Sequence, residues 1–328
     1  MAIKKILSNY SYCDNHEVLQ IRSGLANRFG QDDTMEESMV KLVAVDLDGT
    51  FLNSQREVSK RNIETIKQIQ KMGIKFITNT GRDYGGVKTV LSKSQIECDY
   101  ICMNGGAVFN SEGELVRVND MNREDVTSLL NSVNQDEYYI DINTDQGNCV
   151  TIPKEQAEEY IIGWMGCYNN GDITKIDKRE MERDLARLKE SFLYIKDIDE
   201  IYEKGHKVCK ISISHRDTDR ILKLRQELSL NQNISVAASF DTNIEITDKF
   251  ADKGLALEAY AKENNIKMSE VMAFGDSLND YSMLSRDFGY TVAMGNATEE
   301  IKKTAKFITK TNDEDGVASF IHEIIFNS

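Results

Sequence analysis

The sequence predicts an α/β protein in which a parallel sheet is interrupted by an inserted α+β segment. Strands and helices alternate from residue 41 to residue 113, and the same alternation resumes after residue 247. The stretch between these parts has paired strands with alternating polarity instead. Strands that alternate with helices indicate a parallel sheet, whose ligands bind at the carboxyl ends of the strands. We therefore expect a core formed by 39–113 and 248–328, with 114–247 inserted as a cap domain.

The first core segment is predicted from its apolar periodicity. The run of Val43, Ala44 and Val45 indicates a strand over 42–46 that is covered on both faces, as in parallel sheets. Isoleucines at 63, 66 and 69 recur at helical spacing and predict a helix over 59–72. Two further strands are predicted, over 74–78 and 100–103.

The middle segment and the second core segment complete the prediction. Phe240-Asp241-Thr242 reads as a hairpin turn between two alternating runs. The predicted strands of the middle segment are 138–141, 149–152, 208–214, 234–239 and 243–247, and its helices are 154–162, 179–190 and 217–229. The core then resumes with helices over 253–264 and 316–326 and strands over 271–274, 291–293 and 307–309.

Residues 1–38 differ from the rest of the chain. They lack clear periodicity, contain the polar stretch GQDDTMEES, and precede Met39 just before the first strong strand. We expect them to be an N-terminal extension that is not part of the core, or the result of a start codon assigned too early.

Composition excludes several classes of partner. The chain of 328 residues has 40 basic and 54 acidic residues, a net charge of −14, and no basic cluster, which argues against nucleic-acid binding. It has no apolar run approaching the roughly 18 residues of a membrane span, and no signal-peptide core follows MAIKKIL. Six scattered cysteines are typical of unpaired thiols in a reducing compartment. We expect a cytoplasmic protein; the sequence does not indicate its oligomeric state.

Four short polar pieces follow predicted strands of the core. Each piece alone is a common turn or helix cap, but four in this order at strand ends are improbable by chance. Within the first piece, two neighbouring carboxylates repel each other unless a cation or hydrogen bonds compensate. The pieces are Asp46-Leu47-Asp48-Gly49-Thr50, Ile77-Thr78-Asn79-Thr80-Gly81-Arg82, Asp252-Lys253-Gly254 and Phe274-Gly275-Asp276-Ser277-Leu278-Asn279-Asp280.

In order and type these pieces resemble the haloacid dehalogenase superfamily of phosphatases and phosphotransferases. The later stretches VAMGNA at 292–297 and NDEDGV at 312–317 narrow the resemblance to the Cof-type branch. That branch inserts a large α+β cap between the second and third pieces. The resemblance covers roughly residues 40–328 and implies a Rossmann-like core with a C2-type cap.

The resemblance also implies a role for each acidic residue. Asp46 would be the nucleophile that forms an aspartyl-phosphate. Asp48 would protonate the leaving group and then act as the base for attacking water. The Asp46 side chain, the Asp48 backbone carbonyl and the Asp276 carboxylate would ligate Mg²⁺, and Asp280 would support the metal waters.

Phosphate binding is implied for a second set of residues. Lys253 would neutralise Asp46 and a phosphoryl oxygen, while the Thr80 hydroxyl and the Gly81 amide would hold another oxygen. Thr78 competes with Thr80 for that role, although Thr80 precedes the Gly-Arg pair as in the family. Arg82 would steady the loop or meet the substrate, Asn104 would line the floor, and Asn279 would reach the phosphate or orient the site. Asp83 stands where relatives often have proline, a departure that concerns only the stiffness of the loop.

The expected function is a Mg²⁺-dependent phosphatase for small phosphorylated metabolites, such as sugar phosphates, with FMN and pyridoxal phosphate as further candidates. A phosphomutase or phosphotransferase that uses the same aspartyl-phosphate is the first alternative. A non-catalytic regulatory binding protein is the second, and the complete set of motif residues argues against it. Residues of the cap would choose the substrate, but the sequence offers no readable code for that choice.

Overall fold

The computed structural model describes residues 39–168 and 178–327, so the predicted extension over 1–38 lies outside the described residues. The strands are β1 Leu42–Val45, β2 Lys75–Asn79, β3 Asp99–Cys102, β4 Ala107–Phe109, β5 Leu115–Val118, β6 Tyr139–Thr144, β7 Gly147–Val150, β8 Leu193–Tyr194, β9 Val208–Ser214, β10 Ile234–Ala237, β11 Asn243–Asp248, β12 Val271–Gly275, β13 Tyr290–Ala293 and β14 Phe307–Ile308. The α-helices are α1 Lys60–Lys71, α2 Tyr84–Leu91, α3 Arg123–Ser132, α4 Ala157–Tyr168, α5 Lys178–Ser191, α6 Asp199–Glu203, α7 Thr218–Leu228, α8 Lys253–Glu263, α9 Tyr281–Leu284, α10 Glu299–Thr304 and α11 Gly316–Ile321.

The first sheet has eight strands in the order β14-β13-β12-β1-β2-β3-β4-β5. Strand β1 pairs in parallel with β12 on one side and β2 on the other, and all four of its residues are buried. A strand with neighbours on both sides and helices on both faces needs a continuous apolar run, which explains LVAV. The predicted α/β class is therefore confirmed.

The first sheet ends in an antiparallel hairpin that the sequence did not reveal. Strand β4 pairs antiparallel with β3, and β5 pairs antiparallel with β4. Strand β5 is mostly exposed, so its short sequence LVRV carries little apolar signal. The predicted cap boundary at residue 114 falls inside this hairpin, because the sheet continues to Val118.

The second sheet has six strands in the order β10-β11-β9-β6-β7-β8 and pairs antiparallel, apart from the parallel pair β7–β8. Apolar residues of one face pack with those of α3 and α7 into one cluster. In β9, Ile211 and Ile213 belong to that cluster, whereas Lys210, Ser212 and Ser214 alternate with them. Successive residues of a strand point to opposite faces, so the second face of this sheet is polar.

Helix α2 and the chain terminus differ from the predicted elements. Helix α2 was not predicted, since Gly85 and Gly86 weaken its helical signal. It begins because the Asp83 side chain accepts a hydrogen bond from the Gly86 amide at 2.8 Å, as an N-cap does. The last helix was predicted over 316–326, but it changes to a π-helical turn at His322–Phe326.

Two further properties concern the chain as a whole. Among residues 39–168 and 178–327, no helix combines the length and the apolar character that a membrane crossing requires. The described cysteines are free and buried, namely Cys98, Cys102, Cys149, Cys167 and Cys209.

A substitution of Gly254, the second residue of α8, would test how closely this helix must approach α9. A Cβ at Gly254 would clash with the backbone oxygen of Ser282 and would lie 2.6 Å from its carbonyl carbon. We expect Gly254→Ala to lower the free energy of unfolding by about 1–3 kcal/mol, since backbone must move. Gly85→Ala in α2 is the matched control: its nearest neighbour would be 3.8 Å away, and we expect a gain of up to about 1 kcal/mol. Urea unfolding of both variants measures the difference, and equal stabilities would contradict the close approach.

Candidate active site

The carboxyl ends of three neighbouring parallel strands bring the predicted pieces together. Asp46 follows β1, Thr80 follows β2 and Asp276 follows β12. The Asp46 amide donates to the Phe274 carbonyl at 3.1 Å, which continues the β1–β12 pairing. The Thr50 hydroxyl donates to Asp276 Oδ1 at 2.9 Å and so joins the first piece to the fourth.

Lys253 connects the two core segments through a buried ammonium. Its side chain is 0% exposed, and Nζ donates to Asp46 Oδ1 and to Asp280 Oδ1, each at 2.7 Å. The Asn79 side chain donates to the Lys253 carbonyl at 2.9 Å, which fixes the start of α8 against β2. Burial lowers the pKa of Lys253, but Asp280 and Asp46 raise it above the usual value, so the ammonium stays charged.

Asp280 uses both of its carboxylate oxygens within the site. Oδ1 accepts from Lys253, and Oδ2 accepts from the amides of Asp276 at 2.8 Å and Ser277 at 3.0 Å. These bonds shape the loop that carries the Asp276 carboxylate. A Cβ on Gly275 would lie 2.5 Å from the Asp280 carboxyl carbon, so the loop needs glycine there. Asp280 therefore orients Lys253 and the loop that carries Asp276.

The acidic residues suit a hard divalent cation. Asp46, Asp276 and Asp280 offer carboxylate oxygens that lie within 4.8 Å of one another. Three carboxylates against the single ammonium of Lys253 leave an excess of negative charge in a buried site. Burial and the Asp280 carboxylate raise the pKa of Asp276 to about 7, and burial raises the pKa of Asp46 although Lys253 opposes it. Carboxylate oxygens are the ligands that Mg²⁺ prefers, and such an ion would relieve this repulsion.

Asp48 has a different environment from Asp46. The Asp48 side chain is 45% exposed, and both of its oxygens accept from the Arg82 guanidinium at 2.6 Å. Burial raises the pKa of Asp48, but the hydrogen bonds and charge of Arg82 outweigh this and lower it. The sequence left Arg82 between steadying the loop and meeting the substrate; in this structure its partner is Asp48.

The loop after β2 holds Thr80 beside these groups. Thr80 is buried, its amide donates to the Ile101 carbonyl at 2.9 Å, and its Oγ1 accepts from the Arg82 amide at 3.2 Å. Thr80 Oγ1 accepts this bond through a lone pair, so its hydroxyl hydrogen can still be donated to another acceptor. Thr78, the competing candidate, is buried within β2, and its Oγ1 has no hydrogen-bond partner among the described residues. Thr80 is favoured over Thr78 for the phosphate-binding role because it lies after the end of β2.

The second sheet contributes residues that sequence reasoning missed. The Asn104 amide group donates to Glu245 Oε2 at 2.8 Å, and the Asn279 amide group donates to Asn104 Oδ1 at 3.4 Å and Ser239 Oγ at 3.1 Å. Glu245 lies in β11 and also accepts from Lys210 Nζ of β9 at 2.9 Å. A signal existed in the sequence, since a single charged residue lies within each of the otherwise uncharged stretches VCKISIS and NIEIT.

Comparison with known proteins agrees with the fold. A family model described as haloacid dehalogenase-like hydrolase matches residues 43–321. Phosphatase YwpJ of Bacillus subtilis is 30% identical over 297 residues, covering 87% of this chain and 100% of that protein. The 5-amino-6-(5-phospho-D-ribitylamino)uracil phosphatase YwtE of the same bacterium is 27% identical, covering 87% and 98%. The solved structure of a haloacid dehalogenase-like hydrolase from B. subtilis has a TM-score of 0.74 at 29% identity, covering 86% and 99%.

Lys253→Met tests whether the buried ammonium holds the site together. The substitution leaves the carboxylates of Asp46 and Asp280 buried without their counter-charge, and we expect a loss of about 3–5 kcal/mol in the free energy of unfolding. Lys262→Met in the same helix is the control, because the 66% exposed Lys262 pairs with Glu258 at the surface, and we expect a loss of at most about 1 kcal/mol. Chemical unfolding without divalent cations measures both, and equal losses would contradict the bridging role.

Proposed function

The chain belongs to the haloacid dehalogenase-like hydrolases and is a phosphatase of their Cof-type branch, and from that premise we propose that it hydrolyses small phosphorylated metabolites with Mg²⁺ through an aspartyl-phosphate on Asp46. One observation carries the proposal: the buried Lys253 ammonium holds Asp46 while the Asp276 carboxylate lies beside them. A nucleophile, a fixed positive charge and ligands for a cation then converge on one small volume, as phosphoryl transfer requires.

The first step would join Asp46 to phosphorus. An Asp46 oxygen attacks, the bond to the ester oxygen breaks, and Lys253 neutralises charge on the nucleophile and the phosphoryl group. The Thr80 hydroxyl, whose hydrogen is available, and the Gly81 amide would hold a phosphoryl oxygen. Asp46, Asp276 and the Asp48 carbonyl would hold Mg²⁺, which supplies charge neutralisation and orientation when bound.

Asp48 would manage the protons of both steps. It would give a proton to the departing ester oxygen and later take one from the water that hydrolyses the aspartyl-phosphate. In the free protein Arg82 favours the carboxylate form of Asp48. A bound phosphate competes for the guanidinium, because Arg pairs with phosphate in the same bidentate manner, and so releases Asp48 to carry a proton.

The class of substrate is the next part of the proposal. We propose sugar phosphates and similar metabolites, with FMN and pyridoxal phosphate as further candidates. A relative named for 5-amino-6-(5-phospho-D-ribitylamino)uracil adds that ester to the panel. A phosphate-release screen over these compounds, with and without Mg²⁺, tests the proposal. Phosphate appearing on an added acceptor sugar instead of water would favour the phosphomutase or phosphotransferase alternative, and no release from any ester would favour a non-catalytic binding protein.

The metal requirement gives one direct prediction. EDTA should abolish phosphate release and Mg²⁺ should restore it, because the site has more negative charge than Lys253 can neutralise. Asp276→Asn should keep the fold but need a much higher Mg²⁺ concentration for half-maximal activity. The control is Asp287→Asn, which alters a fully exposed carboxylate and should change neither quantity. Full activity in a metal-stripped sample would refute the metal assignment.

Substitution of the two carboxylates of the first piece, Asp46 and Asp48, should impair the reaction in different ways. Asp46→Asn removes the nucleophile, so turnover should vanish and no covalent intermediate should form. Asp48→Asn keeps the nucleophile but loses proton transfer, worth about 10²–10⁴-fold in each step. With an aryl phosphate whose leaving group needs no proton, its first step should survive in part and the aspartyl-phosphate should accumulate.

Acid quench and mass spectrometry after incubation with that aryl phosphate distinguish the variants. The expected product is a phosphate on the peptide containing residue 46 in Asp48→Asn and none in Asp46→Asn. A phosphate trapped on any residue other than Asp46 would overturn the mechanism.

A further inference from the structure

We propose that the buried ion pair of Lys210 and Glu245, two residues of the second sheet, positions the phosphate-binding loop of the first sheet. The inference rests on the proposed function, because it concerns how that site binds phosphate. We call the pair the intersheet tie. Neither residue belongs to the motifs of the core, and both are positioning residues in this proposal.

The intersheet tie lies on the polar face of the second sheet. Lys210 Nζ is 2.9 Å from Glu245 Oε1, and the two side chains are only 6% and 7% exposed. Strands β9 and β11 are hydrogen-bonded neighbours, so two residues 35 positions apart in the chain meet directly. Burial raises the pKa of Glu245, but the charge of Lys210 and the hydrogen bonds that Glu245 accepts outweigh this and lower it, which favours the carboxylate form of Glu245.

Stability of the second sheet does not require this pair. A buried ion pair loses its hydration, and apolar replacements of similar volume are often neutral or stabilising. The apolar cluster on the opposite face, which includes Ile211, Ile213, Ile244 and Ile246, already provides the packing that holds the sheet to its helices. The two charges therefore act through the hydrogen bonds that Lys210 and Glu245 make with residues outside the second sheet.

Lys210 fixes the peptide group between Gly81 and Arg82. Its Nζ donates to the Gly81 carbonyl at 2.7 Å, while the amide at the other end of that peptide, from Arg82, donates to Thr80 Oγ1 at 3.2 Å. The peptide is thus held at both ends. Its orientation decides where the Thr80 hydroxyl hydrogen is available and where the Arg82 side chain leaves the loop toward Asp48.

Glu245 fixes the other side of the same loop. Its Oε2 accepts from the Asn104 amide group at 2.8 Å, and Asn104 has a left-handed backbone with φ of 55°. A Cβ on Gly81 would lie 3.1 Å from Asn104 Oδ1 and 3.1 Å from Glu245 Oε1, so the loop packs directly on the tie. Ser239 Oγ also donates to Glu245 at 2.9 Å and accepts from Asn279, which extends the network to the fourth piece.

The test is a charge-free double variant, Lys210→Met with Glu245→Met, compared with the wild type. Inorganic phosphate serves as competitive inhibitor and p-nitrophenyl phosphate as substrate, since the binding of neither compound depends on recognition of a particular metabolite. We expect the inhibition constant for phosphate to rise about tenfold to a hundredfold, the range for loss of a charged hydrogen bond, with an unchanged Mg²⁺ requirement. The melting temperature should change little, and amide hydrogen exchange in the peptide covering 79–84 should become faster.

The matched control removes an exposed pair of the same residue types from the same part of the chain. Lys223 and Glu227 lie on α7, 4.0 Å apart and largely exposed. Lys223→Met with Glu227→Met should leave phosphate inhibition and exchange at 79–84 unchanged. Lys210→Arg keeps a donor and a charge, and it should recover most of the phosphate affinity.

Several outcomes decide the proposal. Unchanged exchange at 79–84 and unchanged phosphate inhibition in the folded double variant would overturn it and leave the pair as packing only. If the double variant does not fold, Lys210→Met with Glu245→Gln, which is also charge-free but keeps an acceptor for Asn104, provides the comparison. If the wild type releases phosphate from no ester, the proposed function fails, yet the exchange experiment still supports or overturns the tie.

Discussion

The contact of Lys253 with Asp46 and Asp280 is the constraint on which the rest of the site depends. Three buried carboxylates close to one another would repel, and burial raises the pKa of Asp46 and of Asp276. The ammonium offsets this because it lies between two of them at 2.7 Å. Asp46 comes from the first core segment and Lys253 and Asp280 from the second, so the site exists only when the chain returns to the first sheet after the inserted segment.

Different counter-charges surround two chemically identical carboxylates, for which we propose different tasks. Asp46 and Asp48 are two residues apart, and the buried Leu47 between them points into the core. Asp46 lies against Lys253 in a buried site suited to a cation, whereas the more exposed Asp48 lies against Arg82. A nucleophile needs a fixed position, but a group that gains and loses a proton needs a partner it can exchange. The environments match these two needs.

Sequence reasoning succeeded where a motif or a continuous apolar run gives a strong local pattern, and it failed where that pattern is weak. Strand β1 is a continuous apolar run, and each motif piece spans a few consecutive residues, so both could be read directly. Helix α2 was not predicted because Gly85 and Gly86 follow its N-cap. Strand β5 was not predicted because an exposed edge strand needs few apolar residues. The contact of Lys253 with Asp46 was expected from the family resemblance, although the two residues lie 207 positions apart, whereas the contact of Lys253 with Asp280 was not expected.

Contacts between the sheets could not be read, because they depend on strand register. Lys210 and Glu245 meet through the antiparallel pairing of β9 with β11, in which Glu245 lies opposite Ser212. A shift of one residue would turn Glu245 toward the apolar helices and break its contacts with Lys210 and Asn104. Alternation in a sequence shows which residues share a face, but not which face meets another domain. Side chains that contact a substrate from this polar face would be set by the same register, so their choice of substrate is equally hidden from a single sequence.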